Sequence, residues 1–430
     1  MIKTETILKD HTYNVETLAN GLRLLHVPFP EAASVYLKIM GKAGNRAEGP
    51  DELGLAHFFE HLVFDGTPTM KTGSAVSRTI ERLGARYNGV TGDETVRYWT
   101  RALPSRADAA ATWLGDIFSH SLYRESDVEK ERKVIEEELL ARFDNPENLF
   151  HDEFCARLYP DHPMGYRLRE IRDFLPRVNR ENLLAFRSRC YGGGNFLLLV
   201  AGNITFDTAR KLANAHFSKI ESGPEIAYVP PPKVTPFTYI DNRDVEQAKL
   251  RIVFPGFPQY SRESDVASSV ASALGDGASS RLFTRLREEL HLVYGIGAGH
   301  NDYSDGGEFI IGTKLKTEKI PSAVIAIREV LDGFLSEGPT DEEFERTINQ
   351  AETALALGAE DVEHHGNLAS YQLLFKKQIR SPREIMQELQ SISKDEVLAM
   401  AKRIFSATPH VGVMAKGVTS LDFPAIGDRL

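Results

Sequence analysis

Cysteine is scarce in this sequence: Cys155 and Cys190 are the only two in 430 residues. Two thiols cannot build a disulfide framework, so stability must come from buried apolar surface, and a reducing compartment suits the chain. Long apolar runs are also missing. The longest candidate, Phe196 to Ala201, falls far short of the roughly 20 residues a membrane helix needs and reads as a buried strand. The first ten residues, Met1 to Asp10, have neither the apolar stretch of a secretory signal nor the Arg-rich, acid-poor character of a mitochondrial presequence. The expected location is cytoplasmic. Basic charge is in deficit too, with 51 Lys and Arg against 61 Asp and Glu, a net charge of −10. Such a chain repels a phosphate backbone and anionic lipid, so no nucleic acid or membrane partner is expected.

What is present is ordinary in bulk and specific in pattern. Hydrophobic residues at 42% and charged residues at 26% exclude a disordered or fibrous class. At 430 residues the chain exceeds what one core supports and points to two or more domains. From Gly223 to Pro236 the text GPEIAYVPPPKVTP carries five prolines in fourteen residues, which disfavours helix and central strand. Residues 223–236 therefore read as a linker between a first domain, 1–222, and a second, 237–430. The halves end alike: NRENLLAFRSRCYGGGNFLLLVAGNI from Asn179 and SKDEVLAMAKRIFSATPHVGVMAKGV from Ser393, 214 residues later, each give an amphipathic helix and then an apolar strand. A duplicated domain is indicated. Both halves open with strand-like text and continue in long helical stretches. The expected fold class is α+β: two similar sandwich domains, each a mixed or antiparallel sheet with helices on one face.

One helix carries a metal-binding pattern. Leu53 to Phe64, LGLAHFFEHLVF, reads as buried helix and contains His57-Phe-Phe-Glu60-His61. At about 100° per residue, His57 and His61 lie one turn apart on one face with Glu60 beside them, so two imidazoles can converge on one ion. This H-x-x-E-H order inverts the zinc helix H-E-x-x-H. Neutral imidazoles suit zinc, and the neighbouring carboxylate can take a proton from water. The competing reading is two core histidines satisfied by hydrogen bonds. Catalytic zinc usually has three protein ligands, and the acidic helix DVEKERKVIEEELL from Asp127 offers several carboxylates. Helical phase puts Glu131 and Glu138 on the stripe that holds Val128, Val134, Ile135 and Leu139, while Glu136 and Glu137 point away. Carboxylates on an apolar stripe are costly to bury without a cation. A solvated charged helix is the alternative.

GLAHFFEHLVFDGT and ERKVIEEELL together resemble the pitrilysin family of metallopeptidases, which includes insulin-degrading enzyme and the mitochondrial processing peptidase. The resemblance covers nearly the whole chain, including EQAKLRIVFPG from Glu246 and SSRLFTRLREELHLVYGIGAG. It implies one Zn2+ per chain held by His57, His61 and Glu138, with Glu131 as a supporting carboxylate. It implies Glu60 as the general base that later protonates the leaving amine. Arg287 and Tyr294 would reach the substrate and donate hydrogen bonds to its carbonyl as charge develops. A peptide would add as a strand along ARYNGVTGDETVRYWTRAL, at Asn88, Gly89 and Thr91. Two departures stand out: Gly89 replaces the usual alanine, which should loosen strand pairing, and Arg167-Leu-Arg169 replace small residues after HPMGY.

The resemblance also implies an architecture in which two similar α+β domains make a half-clamshell and two halves enclose a chamber for peptides or unfolded segments. Longer members carry both halves in one chain. This shorter chain is expected to form a homodimer, or a heterodimer with a related subunit, with Arg287 and Tyr294 serving the opposite subunit's zinc site. The expected activity is that of a zinc metalloendopeptidase. A noncatalytic or partner-dependent subunit of a peptidase complex is the alternative, although such members usually have broken motifs and these are intact. A zinc hydrolase of other substrates is opposed only by the resemblance. Three weaker signals read blandly: Gly275-Asp-Gly-Ala-Ser-Ser280 as a turn before a helix, Glu363-His364-His365 as solvated surface, and Asp305-Gly306-Gly307 as a hairpin turn.

Overall fold

The computed structural model describes residues 12–424, so the leader reading of Met1 to Asp10 falls outside the described residues. Two compact units account for the chain: residues 12–229 with Leu357–Arg383, and Pro230–Ala356 with 384–424. The first is built on β1 (Asn14–Thr17), β2 (Arg23–Pro28), β3 (Val35–Gly41), β4 (Arg86–Thr91), β5 (Val96–Ala102) and β6 (Phe196–Gly202), in the order β1-β2-β6-β3-β5-β4. Only β2 and β6 run parallel. The second holds β7 (Thr238–Asp241), β8 (Ala248–Pro255), β9 (Val293–Asp302), β10 (Gly307–Leu315) and β11 (His410–Met414), in the order β7-β11-β8-β10-β9. There β7 and β11 are parallel and the other pairs antiparallel. The ladder β2-β6-β3-β5-β4 is thus repeated strand for strand, and the chain contains two similar α+β domains.

Helices cover one face of each sheet. In the first unit they include α1 (Leu55–Leu62), α2 (Gly73–Glu81), α3 (Ala107–His120) and α4 (Glu125–Phe143). Phe58, Phe59, Trp113 and Phe118 meet Leu37, Ile39, Tyr98 and Leu198 in one core. In the second unit the helices Arg262–Gly275, Ile320–Glu337 and Lys394–Phe405 pack Val270, Ile327 and Ile404 onto Leu250, Ile252 and Phe309.

The first sheet is also covered on its other face. The helix Val362–Lys376 lays Ala369, Leu373 and Leu374 against Leu25, Met40, Leu197 and Leu199. Each large apolar side chain so buried contributes about 1.5–3 kcal/mol, which explains why this late segment belongs with the first unit and not, as the sequence division at 237 expects, with the second. It also explains why FLLLVAG in β6 is apolar at nearly every position, since both faces are buried. His365 is therefore not solvated surface: it is 1% exposed, with the Tyr13 hydroxyl 2.8 Å from its Nε2. Within the same interface Lys38 is fully buried, donating to Asn367 Oδ1 at 2.6 Å and Ser370 Oγ at 2.7 Å. Burial holds its ammonium well below the usual lysine range.

The proline-rich stretch has no regular structure. Its first part nevertheless belongs to the first unit: Ile226 N–H donates to Asn195 Oδ1 at 2.9 Å and Arg46 Nη2 donates to the Val229 carbonyl at 2.9 Å. The division between units falls after Val229, inside the linker.

Candidate metal centre

Helix α1 buries Leu55, Ala56, Phe58, Phe59 and Leu62, a face so wide that His57, Glu60 and His61 are left on the open side. Its N-terminus is set by Gly54 in the left-handed region (φ 81) and by Glu48. The Glu48 carboxylate, 5% exposed, accepts from Gly54 N–H at 2.9 Å and Ala56 N–H at 2.8 Å, satisfying donors that a helix start leaves free. Sequence reading missed Glu48; an acidic residue shortly before the apolar run was the available signal.

The two imidazoles converge, with 3.2 Å between His57 Nε2 and His61 Nε2. Helix α4 crosses α1 and brings Glu138 Oε2 to 3.5 Å from His57 Nε2 and 3.8 Å from His61 Nε2. Donors about 2.0–2.1 Å from a tetrahedral zinc stand about 3.3–3.4 Å from one another, so the set of two imidazoles and a carboxylate fits that ion in type and spacing. Among the described residues, these three alone form such a cluster of His, Cys, Asp and Glu donors. Glu131 Oε2 lies 2.9 Å from His61 Nδ1. An N–H at Nδ1 donating to that carboxylate leaves the lone pair of His61 Nε2 facing the other donors.

The phase of α4 is narrower than the sequence reading has it. Val128, Glu131, Ile135 and Leu139 are buried, but Val134 is 38% exposed and the Glu138 side chain 47% exposed. At about 100° per residue both sit at the margin of the stripe, which buries Glu131 and leaves Glu138 reaching over the edge toward the imidazoles.

Electrostatics follow from this packing. Burial and the adjacent His61 lower the pKa of His57, so its imidazole is neutral near pH 7. Burial also opposes charge on His61, but the hydrogen bond to Glu131 and the carboxylates of Glu138, Glu131 and Glu60 outweigh it and leave His61 above the ordinary value. The same hydrogen bond from His61, helped by Lys130, holds Glu131 down at about 2 despite burial. Burial pushes Asp65 up to about 6.

Beside the donors lies an open cleft of about 340 Å³, lined by Glu60, His61, Asp65, Ser77, Asn88 and Glu131 among others. Clefts of about 410 and 440 Å³ have other linings, around Arg281 and Glu343 and around Tyr166 and Arg177, so chemistry and not size marks the site. The rim strand β4 is a sheet edge: it pairs with β5, and no strand of the described residues pairs with its other side. Asn88 is exposed on that strand, while Thr91 Oγ1 donates to the Ala56 carbonyl at 3.4 Å. Gly89 is buried against the metal helix: a Cβ there would stand 3.0 Å from Glu60 Cγ and 3.0 Å from Phe64 Cε2. What the missing side chain leaves is room for Glu60.

Comparison with known proteins supplies a family. The description Insulinase (Peptidase family M16) fits residues 25–170, and Peptidase M16 inactive domain fits residues 177–351. An uncharacterized zinc protease of Rickettsia felis is 31% identical over 397 residues, covering 92% of this chain and 95% of the relative. The chain belongs to peptidase family M16, the pitrilysin family. An uncharacterized zinc protease of Bacillus subtilis, YmxG, is 27% identical over 91% of this chain and 95% of its own length. Among solved structures, the peptidase M16 inactive domain from Pseudomonas fluorescens has a TM-score of 0.87 at 18% identity, covering 96% of this chain and 100% of that one. A protease from Helicobacter pylori gives 0.85 at 20% identity, over 94% and 99%. At such identities these two speak to the fold. No helix of the described residues is long and apolar enough to cross a membrane.

The remaining residues singled out by the M16 resemblance lie outside this cluster. Arg287 and Tyr294 belong to the second unit, Arg287 on the wide π-type turn Thr284–Glu289 and Tyr294 at the start of β9. Both are open to solvent: the Arg287 side chain is 48% exposed, with its guanidinium 4.8 Å over the Phe283 ring, and Tyr294 is 60% exposed. Arg167 and Arg169, at the start of the helix Leu168–Phe174, gather with Arg157 on Glu153, at 3.4, 2.5 and 2.8 Å, and Arg167 Nη1 also donates to Glu170 Oε1 at 2.8 Å, so the charges that replace small residues here face carboxylates of the same unit.

Proposed function

We propose that this M16 chain is a zinc-dependent endopeptidase that hydrolyses oligopeptides or unfolded segments. The observation that carries the reading is the convergence of His57, His61 and Glu138 beside a cleft into which Glu60 faces from the same helix. His57, His61 and Glu138 would hold a zinc ion, which when bound would supply Lewis-acid chemistry to water and the scissile carbonyl. Glu60 takes the proton from the attacking water and returns it to the leaving amine, which is within the reach of a carboxylate on the same helix face as the ligands. Glu131 keeps the His61 ring oriented through its Nδ1. The open edge of β4 offers unpaired backbone groups to which an extended peptide can add as a strand, beside Asn88, Gly89 and Thr91. Arg287 and Tyr294, both solvent-facing, are the donors we assign to the developing oxyanion, delivered from a second subunit of a homodimer or of a heterodimer with a related chain.

The test is cleavage of a mixed peptide library by the purified protein, with a zinc chelator and Glu60→Gln as controls. Cuts that vanish with chelator and are absent from the variant support a self-sufficient zinc peptidase. An intact zinc site with no cuts would instead favour a subunit that needs a partner or has no catalytic role.

A further inference from the structure

Glu131 has two carboxylate oxygens, and the structure accounts for both. Oε2 faces His61 Nδ1 at 2.9 Å, and Oε1 faces Lys130 Nζ at 2.8 Å. The same ammonium lies 2.7 Å from Asp65 Oδ1. Asp65 is 9% exposed and Glu131 6% exposed, whereas the Lys130 side chain is 61% exposed. An exposed lysine ordinarily makes ion pairs of little worth. This one differs because both partners are buried carboxylates, which need a cation or hydrogen bonds to stay charged away from water. Lys130 and Glu131 are also adjacent on a helix and diverge by about 100°, so the lysine stem must fold back to reach its neighbour. An unconstrained stem would extend into solvent; this one is held between two carboxylates.

We infer that Lys130 is a positioning residue of the metal centre: bridging Asp65 and Glu131, it fixes the carboxylate that in turn aims the His61 ring. Asp65 lies in the bend three residues past the end of α1 and is anchored by its own backbone, its carbonyl accepting from Arg124 Nη2 at 3.0 Å. The chain Asp65, Lys130, Glu131, His61 thus ties the end of α1 to the side of α4, the two helices that supply the metal donors. Without the ammonium, the two buried carboxylates lose the group that holds them together, Glu131 is free to swing away, and His61 loses the partner that fixes its ring. Removing a partner of this kind typically weakens metal binding 10–100-fold.

The inference rests on the proposed metal site and is tested by zinc affinity, read by competition with a chromophoric chelator on the full chain. Lys130→Met should weaken zinc binding at least tenfold with an unchanged circular dichroism spectrum, since the residue is largely exposed. Lys130→Arg should restore affinity to within a few-fold. Asp65→Asn should weaken binding as well, and Asp65→Asn with Lys130→Met should lose less than the product of the two single effects, because the second change removes an already broken link. Wild-type affinity in Lys130→Met, or losses that simply multiply, would overturn the chain through Lys130. Zinc binding that is absent from the wild type, or indifferent to His57→Ala, would overturn the metal site itself and this inference with it.

Discussion

Glu60 and Gly89 show how single positions set the chemistry. The Glu60 carboxylate shares a helix face with two imidazoles whose Nε2 atoms are 3.2 Å apart, and it is not one of the three clustered donors. Glu60→Gln is accordingly expected to keep zinc and lose turnover by about 10²–10⁴-fold, the usual contribution of a positioned general base. Metal analysis and initial rates on one preparation check this, and undiminished cleavage would remove Glu60 from its role. Opposite it, a Cβ added at Gly89 would meet Glu60 Cγ at 3.0 Å, close enough that something must give. Gly89→Ala, which restores the alanine that the resemblance leads one to expect, asks the Glu60 stem to yield by only a few tenths of an ångström, so kcat should fall by no more than a few-fold with zinc content unchanged. A far larger loss would show that the Glu60 stem has no room to move. The sequence marks Gly89 as unusual but ties it to strand pairing. Only the packing shows which side chain it accommodates.

At the scale of the element, the metal helix depends on its start. Glu48 accepts two backbone N–H groups there, and Glu48→Ala would strand them in a buried setting at a cost of about 1–3 kcal/mol, visible as a lower unfolding midpoint. Two effects compete over its charge. The helix N-terminus favours the carboxylate, while burial favours the neutral acid and wins, pushing Glu48 up to about 8. A carboxyl whose folded value lies above its unfolded one contributes stability that is complete below the ordinary carboxylate range and is lost as pH rises toward about 8. Glu48→Gln does not titrate, so its stability relative to wild type should improve between about pH 5 and pH 8. Urea unfolding at the two pH values reads the sign, and a variant that loses ground as pH rises would mean that the helix N-terminus prevails. Periodicity makes α1 legible in the sequence, and it makes the Glu131 and Glu138 face of α4 nearly so. It places Val134 too deep because an apolar residue at the margin of a stripe looks the same in sequence as one at its centre.

On the scale of the whole molecule, the repeated ladder of five strands shows that one chain carries two copies of one fold. If the active species pairs two chains, activity should track an assembly near twice 48.0 kDa in sedimentation, and a stable active monomer would remove the dimer. If the site sits in an enclosed chamber, oligopeptides should be cut far faster than compact native proteins. Equal rates would argue for an open site.

Local pattern was enough for the sequence to point to the α+β class, the duplication and the H-x-x-E-H helix, whereas on the acidic helix it left a solvated face open and the resemblance singled out Glu138. The first three depend on periods of two and 3.6 residues and on spacings within a single element, which are written directly in the chain. What the tertiary structure alone decided lies between elements distant in sequence. Lys130 meets Asp65 across 65 positions, and Lys38 meets Asn367 across 329. The segment 357–383 joins the first unit although it follows most of the second in sequence. Such choices turn on which apolar face is left uncovered and which buried charge still needs a partner, and both are properties of the assembled core.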